Sequence, residues 1–410
     1  MNAPHPHPVR LLLAWFALLV ILATPAFGAY GDLLKSFDFE AVEVKRDDTR
    51  DRVYAICPSQ NGIKVINSDS LEVIASIFTG SGPLRMDLSP DSSRLYVANG
   101  GTSVQGIAII DLETLSLTGH VATLAPPRDV AAGLNGRIFT LEGDRFRSYD
   151  AATGQQVGGD LHTYSTPRLS IYSGNIELSP DNQHLFYYTF GSSPSAWAKL
   201  DITTQPPTVL QSGGWGSNGR DLAISADGQF VCFASGAPYE VKKFSAADPS
   251  QSHGTFATGA YPREVAFGPA GDRLYAVHTS GHIDVWNANT YVQLPQISCA
   301  GEARALECDR KNRVLFAGVS GSPGSLRAFF IGSESGGDDL KVRLQRAMVI
   351  EWDSKPGELY QVQWRHSMGG QDPWQDLGDP VLGNGLTMSV FDNIEDMRRK
   401  FYQVVPVTAP

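Results

Sequence analysis

Apolar and polar residues alternate in short runs over 84–123, LRMDLSPDSSRLYVANGGTSVQGIAIIDLETLSLTGHVAT. Four such runs, rich in Val, Ile, Leu and Tyr, are separated by Ser-Pro-Asp, Gly-Gly and Asp-Leu-Glu turns, the pattern of β-strands in a meander. One four-stranded meander leaves two open edges and cannot bury its own faces. The unit therefore has to repeat.

Aligned on the turn between the first two runs, seven copies have innermost strands expected to begin at Val42, Leu84, Arg128, Gly174, Arg220, Arg263 and Arg304. The spacings are 42, 44, 46, 46, 43 and 41 residues. The turns recur as SPDSSRLYV, SPDNQHLFY, SADGQFVCF, GPAGDRLYA and DRKNRVLFA, each followed by a strand with an aromatic or apolar centre. A period of roughly 40–45 residues with four strands per copy is that of a β-propeller. No copy carries an apolar stripe of period 3.6 long enough for a helix, which excludes helical repeats of similar length.

These residues resemble a known family. SPDSSRLYVANG followed by IAIIDLETL is similar to the YVTN-type repeat of secreted bacterial propellers, a relative of WD40, and Ile283-Asp284-Val285-Trp286 is similar to a WD40 third strand. The resemblance spans about 33–331 and implies an all-β, seven-bladed propeller, with many possible tasks. The seventh copy lacks an outer strand, and 33–39 (LLKSFDF) is a strand without a copy of its own. It is expected to complete the last blade and close the ring.

The remaining segments read differently. Residues 1–28 carry Arg10, then the apolar run 11–23 and a small-x-small end at 26–28, the pattern of a secretory signal; an uncleaved anchor is the alternative. The protein is expected to be exported to the periplasm, cell envelope or medium, with no membrane contact beyond the signal. The glycine-rich stretch 332–339 reads as a linker. Residues 340–410 read as a small antiparallel β-sandwich that resembles the immunoglobulin- or fibronectin-like modules ending many secreted bacterial proteins. Its Trp352, Tyr360, Trp364, Trp374 and Phe401 are expected in its core.

Charge narrows the partners. Without 1–28 the chain has 32 Lys+Arg against 43 Asp+Glu, a net charge of −11, which argues against nucleic acid. Four cysteines are too few for a disulfide scaffold. A bridge between Cys299 and Cys308 is the one pairing weighed, and Cys57 and Cys232 read as buried apolar residues.

Catalytic motifs are missing: no nucleophile elbow, haem attachment, P-loop or dinucleotide fingerprint is present, and no cofactor is implied. His278 and His282 flank an expected turn and lack a third metal ligand. The acidic residues read as scattered. One pattern stands out: the innermost strand opens with arginine in four copies, Arg128, Arg220, Arg263 and Arg304. With Trp215, in the GGWGSNG stretch ahead of Arg220, they form the candidate binding site at the channel mouth. The alternative is that they bridge blades. The expected role is a non-catalytic platform for a protein partner or a small anionic ligand. The alternative is a hydrolase resembling lactonases of the phosphogluconolactonase type, for which no base can be named.

Overall fold

The computed structural model describes residues 29–162, 174–321, 324–332, 347–367, 372–378, 380–385, 387–393 and 401–407. The expected signal 1–28 and, apart from Gly332, the expected linker 332–339 lie outside them. The chain divides into two compact units, 1–333 and 334–410.

The first unit is a seven-bladed β-propeller of four-stranded antiparallel sheets. Its innermost strands are Glu43–Arg46, Pro83–Leu88, Pro127–Ala132, Gly174–Leu178, Asp221–Ile224, Glu264–Phe267 and Ala303–Cys308. Each begins within one residue of the expected position. The ring closes as the sequence requires. Leu33–Ser36 pairs antiparallel with Ser325–Phe330 as the outer strand of blade 7, so the first strand of the chain removes the open edge of the last blade.

Burial explains why the blades stay together. The core is seven separate apolar clusters, one at each blade junction. The cluster between blades 7 and 1 takes in Phe37 and Phe39, just past the closing strand. The turns between first and second strands are built alike. Ser89 Oγ donates to Asp91 at 2.6 Å, Ser179 to Asp181 at 2.5 Å and Ser225 to Asp227 at 2.6 Å. The next residue is left-handed in each: Ser92 at φ 53°, Asn182 at 55° and Gly228 at 69°. Asp recurs here because its carboxylate fixes the turn.

Strand polarity defines two faces. Innermost strands start at one, called here the entry face, which also holds the loops between second and third strands. They end at the other, the turn face.

The second unit has two sheets. Ala347–Asp353 pairs with Thr387–Asn393, and Leu359–Arg365 is flanked by Phe401–Val407 and the two short strands Gln375–Asp376 and Val381–Leu382. Tyr360 and Val362 are buried, Trp352 lies 6.0 Å from the Tyr360 ring, and Arg365 stacks on Trp374 at 4.2 Å.

Candidate functional site: the channel and the entry face

The expected arginines open the innermost strands but do not line the channel. Arg263 Nε pairs with Glu302, and Arg304 reaches the same carboxylate at 3.3 Å. Arg220 stands beside them; burial and the charge of Arg263 push its pKa down, with Glu302 opposing. Arg263 and Arg304 thus share Glu302, with Arg220 in its field, on blades 5 to 7. Arg128, on blade 3, is exposed and apart from them.

Trp215 is displaced further from the expected site. It ends the outermost strand of blade 4, Thr208–Trp215, where it packs edge-on against Phe244 at 5.8 Å with Lys242 Nζ 5.6 Å from its ring centre. An extended strand carries it to the blade's outer edge, away from the channel.

Inside the ring, a cavity of about 500 Å3 is lined by residues at the second and fourth positions counted from the aligned starts Val42 to Arg304, by their neighbours and by turns of the turn face. Every innermost strand sends one carboxyl into it: Glu43, Asp87, Asp129, Glu177, Asp221, Glu264 and Glu307. Lys45, Arg46 and Arg85 are the cations among them. The acids are therefore not scattered; they form a ring that becomes visible when positions two and four are read down the aligned copies.

These acids have backbone partners. The channel edge of each innermost strand carries N–H groups that no further strand can satisfy. Glu43 accepts from Met86 N at 3.1 Å, Asp129 from Ile176 N at 2.8 Å and Asp221 from Val265 N at 2.9 Å. In each, the second residue of one blade caps the third residue of the next. Asp87 does the same one step lower, accepting from Ala132 N at 2.9 Å. Asn175 closes a gap by donating to Asp221 at 2.5 Å.

Two cation centres balance the ring. Arg85 NH1 is 3.3 Å from Glu264 across the axis, within the field of Glu43, Asp129 and Asp221. Lower down, Lys45 lies 3.0 Å from Asp87, and Arg46 lies 2.8 Å from Glu307 and 2.6 Å from Asp48. Burial raises the carboxyl pKa values, to about 8 for Glu43 and Glu177 and to about 6 for Asp129, with Arg85 pulling Glu43 and Asp129 back and Lys45 pulling Glu177 back. Asp221 and Glu264 are also raised by burial. Several of these groups hold protons near neutrality.

The position-two layer is largely buried: Glu43, Asp129, Asn175 and Asp221 are at most 8% exposed, and the side chains of Arg85 and Glu264 are 21% and 12% exposed. It separates the cavity, which reaches the turn face, from the arginines on the entry face. Among the described residues, no three His, Cys, Asp or Glu side chains gather as a metal site.

Two further expectations are corrected. Cys299 and Cys308 are free, as are Cys57 and Cys232, and all four are buried. Cys299 precedes the strand Ala303–Cys308 and Cys308 ends it, so about 17 Å of extended chain carries them to opposite faces, beyond disulfide reach. His278, read as an exposed turn residue, is 3% exposed. Its Nε2 lies 3.2 Å from buried Asp284 and its Nδ1 2.9 Å from Ser280 Oγ. Asp284 also accepts from Gly259 N at 3.2 Å and from Gln296, so it ties the connection between blades 5 and 6 to the turn at His278 and to the outermost strand of blade 6.

The entry face has a second character. Of the fourteen exposed large apolar residues among those described, topology puts Phe78, Leu84, Val104, Leu124, Tyr239 and Tyr261 on it. Leu134 and Val292 lie in turns of the turn face and Leu33 and Val73 begin outermost strands at that end; Leu382 is in the second unit, and Ile74, Leu117 and Leu210 lie within outermost strands. Leu124 and Phe78 are the most exposed of the fourteen after Leu382 is counted between them, at 66% and 60%.

No protein-family model matches the chain, and no curated protein is similar to it in sequence. Solved structures do match. The β-propeller domain of Cps50 (Swd1) from Myceliophteria thermophila superposes with a TM-score of 0.62 at 14% identity, over 73% of this chain and 100% of that one. Hydrazine synthase from Kuenenia stuttgartiensis gives 0.60 at 12% identity, over 73% and 98%. The chain has a β-propeller fold. At these identities the likeness speaks for the fold alone.

Proposed function

We propose that this is an exported, non-catalytic propeller that binds a partner protein across its entry face. The six exposed large apolar residues of the entry face, among them Leu124 and Phe78, the two most exposed of the described propeller, carry this reading. Apolar side chains crowded on one face mark an interaction surface, and propeller loops are free to vary because the strands are consumed by packing. Leu84, Val104 and Leu124 provide an apolar sector over blades 2 and 3. Tyr239 and Tyr261, whose rings are 5.0 Å apart, adjoin the arginines of blades 5 to 7. Glu302 answers Arg263 and Arg304 there while Arg220 has no ion pair among the described residues, which favours carboxylates on the partner. The fitting partner supplies apolar side chains and carboxylates together.

The largely buried position-two layer, lying between the arginines and the cavity, supports a platform over a channel-mouth ligand or lactonase site. A ligand on the arginines has no cavity beneath it, and Glu302, the carboxylate beside them, is already held by Arg263 and Arg304.

The test is affinity capture from envelope extract with the mature protein, Leu84→Glu/Leu124→Glu and Arg263→Glu/Arg304→Glu. A protein retained by the first and lost from both variants, with melting temperatures unchanged, is expected. Capture that both variants retain in full overturns the reading.

A further inference from the structure

A second cavity, of about 310 Å3, opens on the turn face between blades 3 and 4. Leu134, Phe139, Val157 and Ile202 supply its apolar wall, and Arg137 its cation.

The repeat shows what is unusual there. Arg52, Arg94, Arg137 and Arg273 each begin the second strand of their blade, Arg94 with its side chain exposed. Arg52 donates across the junction to Leu112 O at 2.6 Å, the first residue after the third strand of blade 2. Arg273 donates in the same way to Ile331 O at 3.3 Å, just after the third strand of blade 7. The equivalent residue of blade 4 is Ile202, which follows Ser195–Asp201. Arg137 makes no bond to it. Its one side-chain hydrogen bond runs within its own blade, to Ser148 Oγ at 3.2 Å, and its guanidinium lies 5.1 Å from the Phe139 ring centre. Its Nε is buried without a hydrogen-bond partner. Where two other junctions carry an arginine strap, this one carries a cavity.

The charge of Arg137 is also unanswered. Asp150 is the carboxylate of the lining and faces Arg137 in the ladder, yet it serves its own turn. It accepts from Ala152 N at 3.0 Å, Thr153 N at 2.7 Å and Thr153 Oγ1 at 2.9 Å. No carboxylate among the described residues lies within ion-pair distance of Arg137. A partly buried guanidinium with a free N–H and an aromatic beneath it is suited to a planar anion. Burial lowers its pKa, and an incoming anion would reverse that shift.

We propose that this cavity binds a small organic carboxylate, its anionic end on Arg137 and its apolar body against Leu134, Phe139, Val157 and Ile202. The volume is at the low end of the roughly 300–1,000 Å3 of ligand sites, enough for one ring or a short chain. The site is on the face opposite the partner surface and stands or falls independently of it.

Benzoate, phenylacetate and hexanoate, each beside its neutral amide, are the probes, titrated against the mature protein by calorimetry and thermal shift at millimolar concentration. At least one acid is expected to bind, with its amide tenfold weaker or worse. Arg137→Leu is expected to weaken that acid at least tenfold and Arg137→Lys to retain part of the affinity. Val157→Phe, which fills the cavity and leaves the arginine, is expected to abolish binding, and it decides the matter if Arg137→Leu does not fold. Absence of binding by all three acids, equal binding of acid and amide, or binding unmoved by Val157→Phe overturns the proposal.

Discussion

Arg85 of blade 2 meets Glu264 of blade 6 across the axis of the ring, 3.3 Å apart and far apart in sequence. Removing the guanidinium leaves Glu43, Asp129, Asp221 and Glu264 without the cation that their closed layer surrounds. Arg85→Met is expected to destabilise the propeller at pH 8 by about 3 kcal/mol, the usual scale for breaking a buried pair. The loss should shrink at pH 5, where the acids can take up protons. Urea midpoints at the two pH values measure it.

The carboxyl ring makes stability fall as pH rises. Glu43 and Glu177 titrate near 4.5 when unfolded and at about 8 when folded, mainly through burial. Between those values the folded state holds protons that the unfolded state has lost, so the contribution to stability is complete below about 4.5, falls throughout that interval and is gone above about 8. The melting temperature is therefore expected to be higher at pH 5 than at pH 8. Glu177→Gln, which mimics the protonated form, should raise it at pH 8 and leave pH 5 unchanged. An upward slope from pH 5 to 8 would refute this. Acids of the opposite kind set the lower limit: Asp91, held down to about 2 chiefly by Ser89, loses its contribution only in stronger acid.

Ring closure depends on Phe39 as well as on backbone pairing. Phe39 is 5% exposed, in the cluster with Phe316, Leu326 and Ala328. Phe39→Ala is expected to cost about 3–5 kcal/mol, the range for emptying an aromatic core site. Deleting 33–39 should lower the melting temperature sharply, and calorimetric scans of both variants provide the check.

The buried thiols should be silent. Burial pushes Cys57 up to about 12 and raises Cys232, Cys299 and Cys308, and thiolate is the reactive form. Ellman titration of the native protein is expected to find almost none, and of the unfolded protein all four. Two after unfolding would restore the Cys299–Cys308 bridge.

Blade boundaries and the closing strand were legible because their signals are local. A turn such as Ser89-Pro90-Asp91 writes its hydrogen bonds into neighbouring residues, and strand alternation announces itself within six. The staples were not, because the N–H that Asp129 caps belongs to Ile176, one blade on. Nothing beside Asp129 distinguishes it from a surface acid. Only the aligned columns, with an acid or its partner at positions two and four, contain that signal, and the arginines at position one are the more conspicuous column. His278 was lost for a related reason. Its ring is buried because Gly259, on the approach from blade 5, has no Cβ; one there would stand 2.2 Å from the imidazole. A contact made by an absent atom leaves no mark on the residues around the histidine.

The closing strand also sets an order of events. Leu33 pairs with Phe329, roughly 300 residues later, while the other described strands of the propeller pair with the strand before or after them in the chain. Against a ten-residue hairpin, gathering ends that distant costs about 3 kcal/mol more in chain entropy. Six blades can assemble as each is completed, but the seventh waits for a strand made at the very start. Until it is taken up, the chain must carry two complementary unpaired edges, so the first segment to emerge is the last to be used, and a second copy meeting it in that interval would offer the same edge.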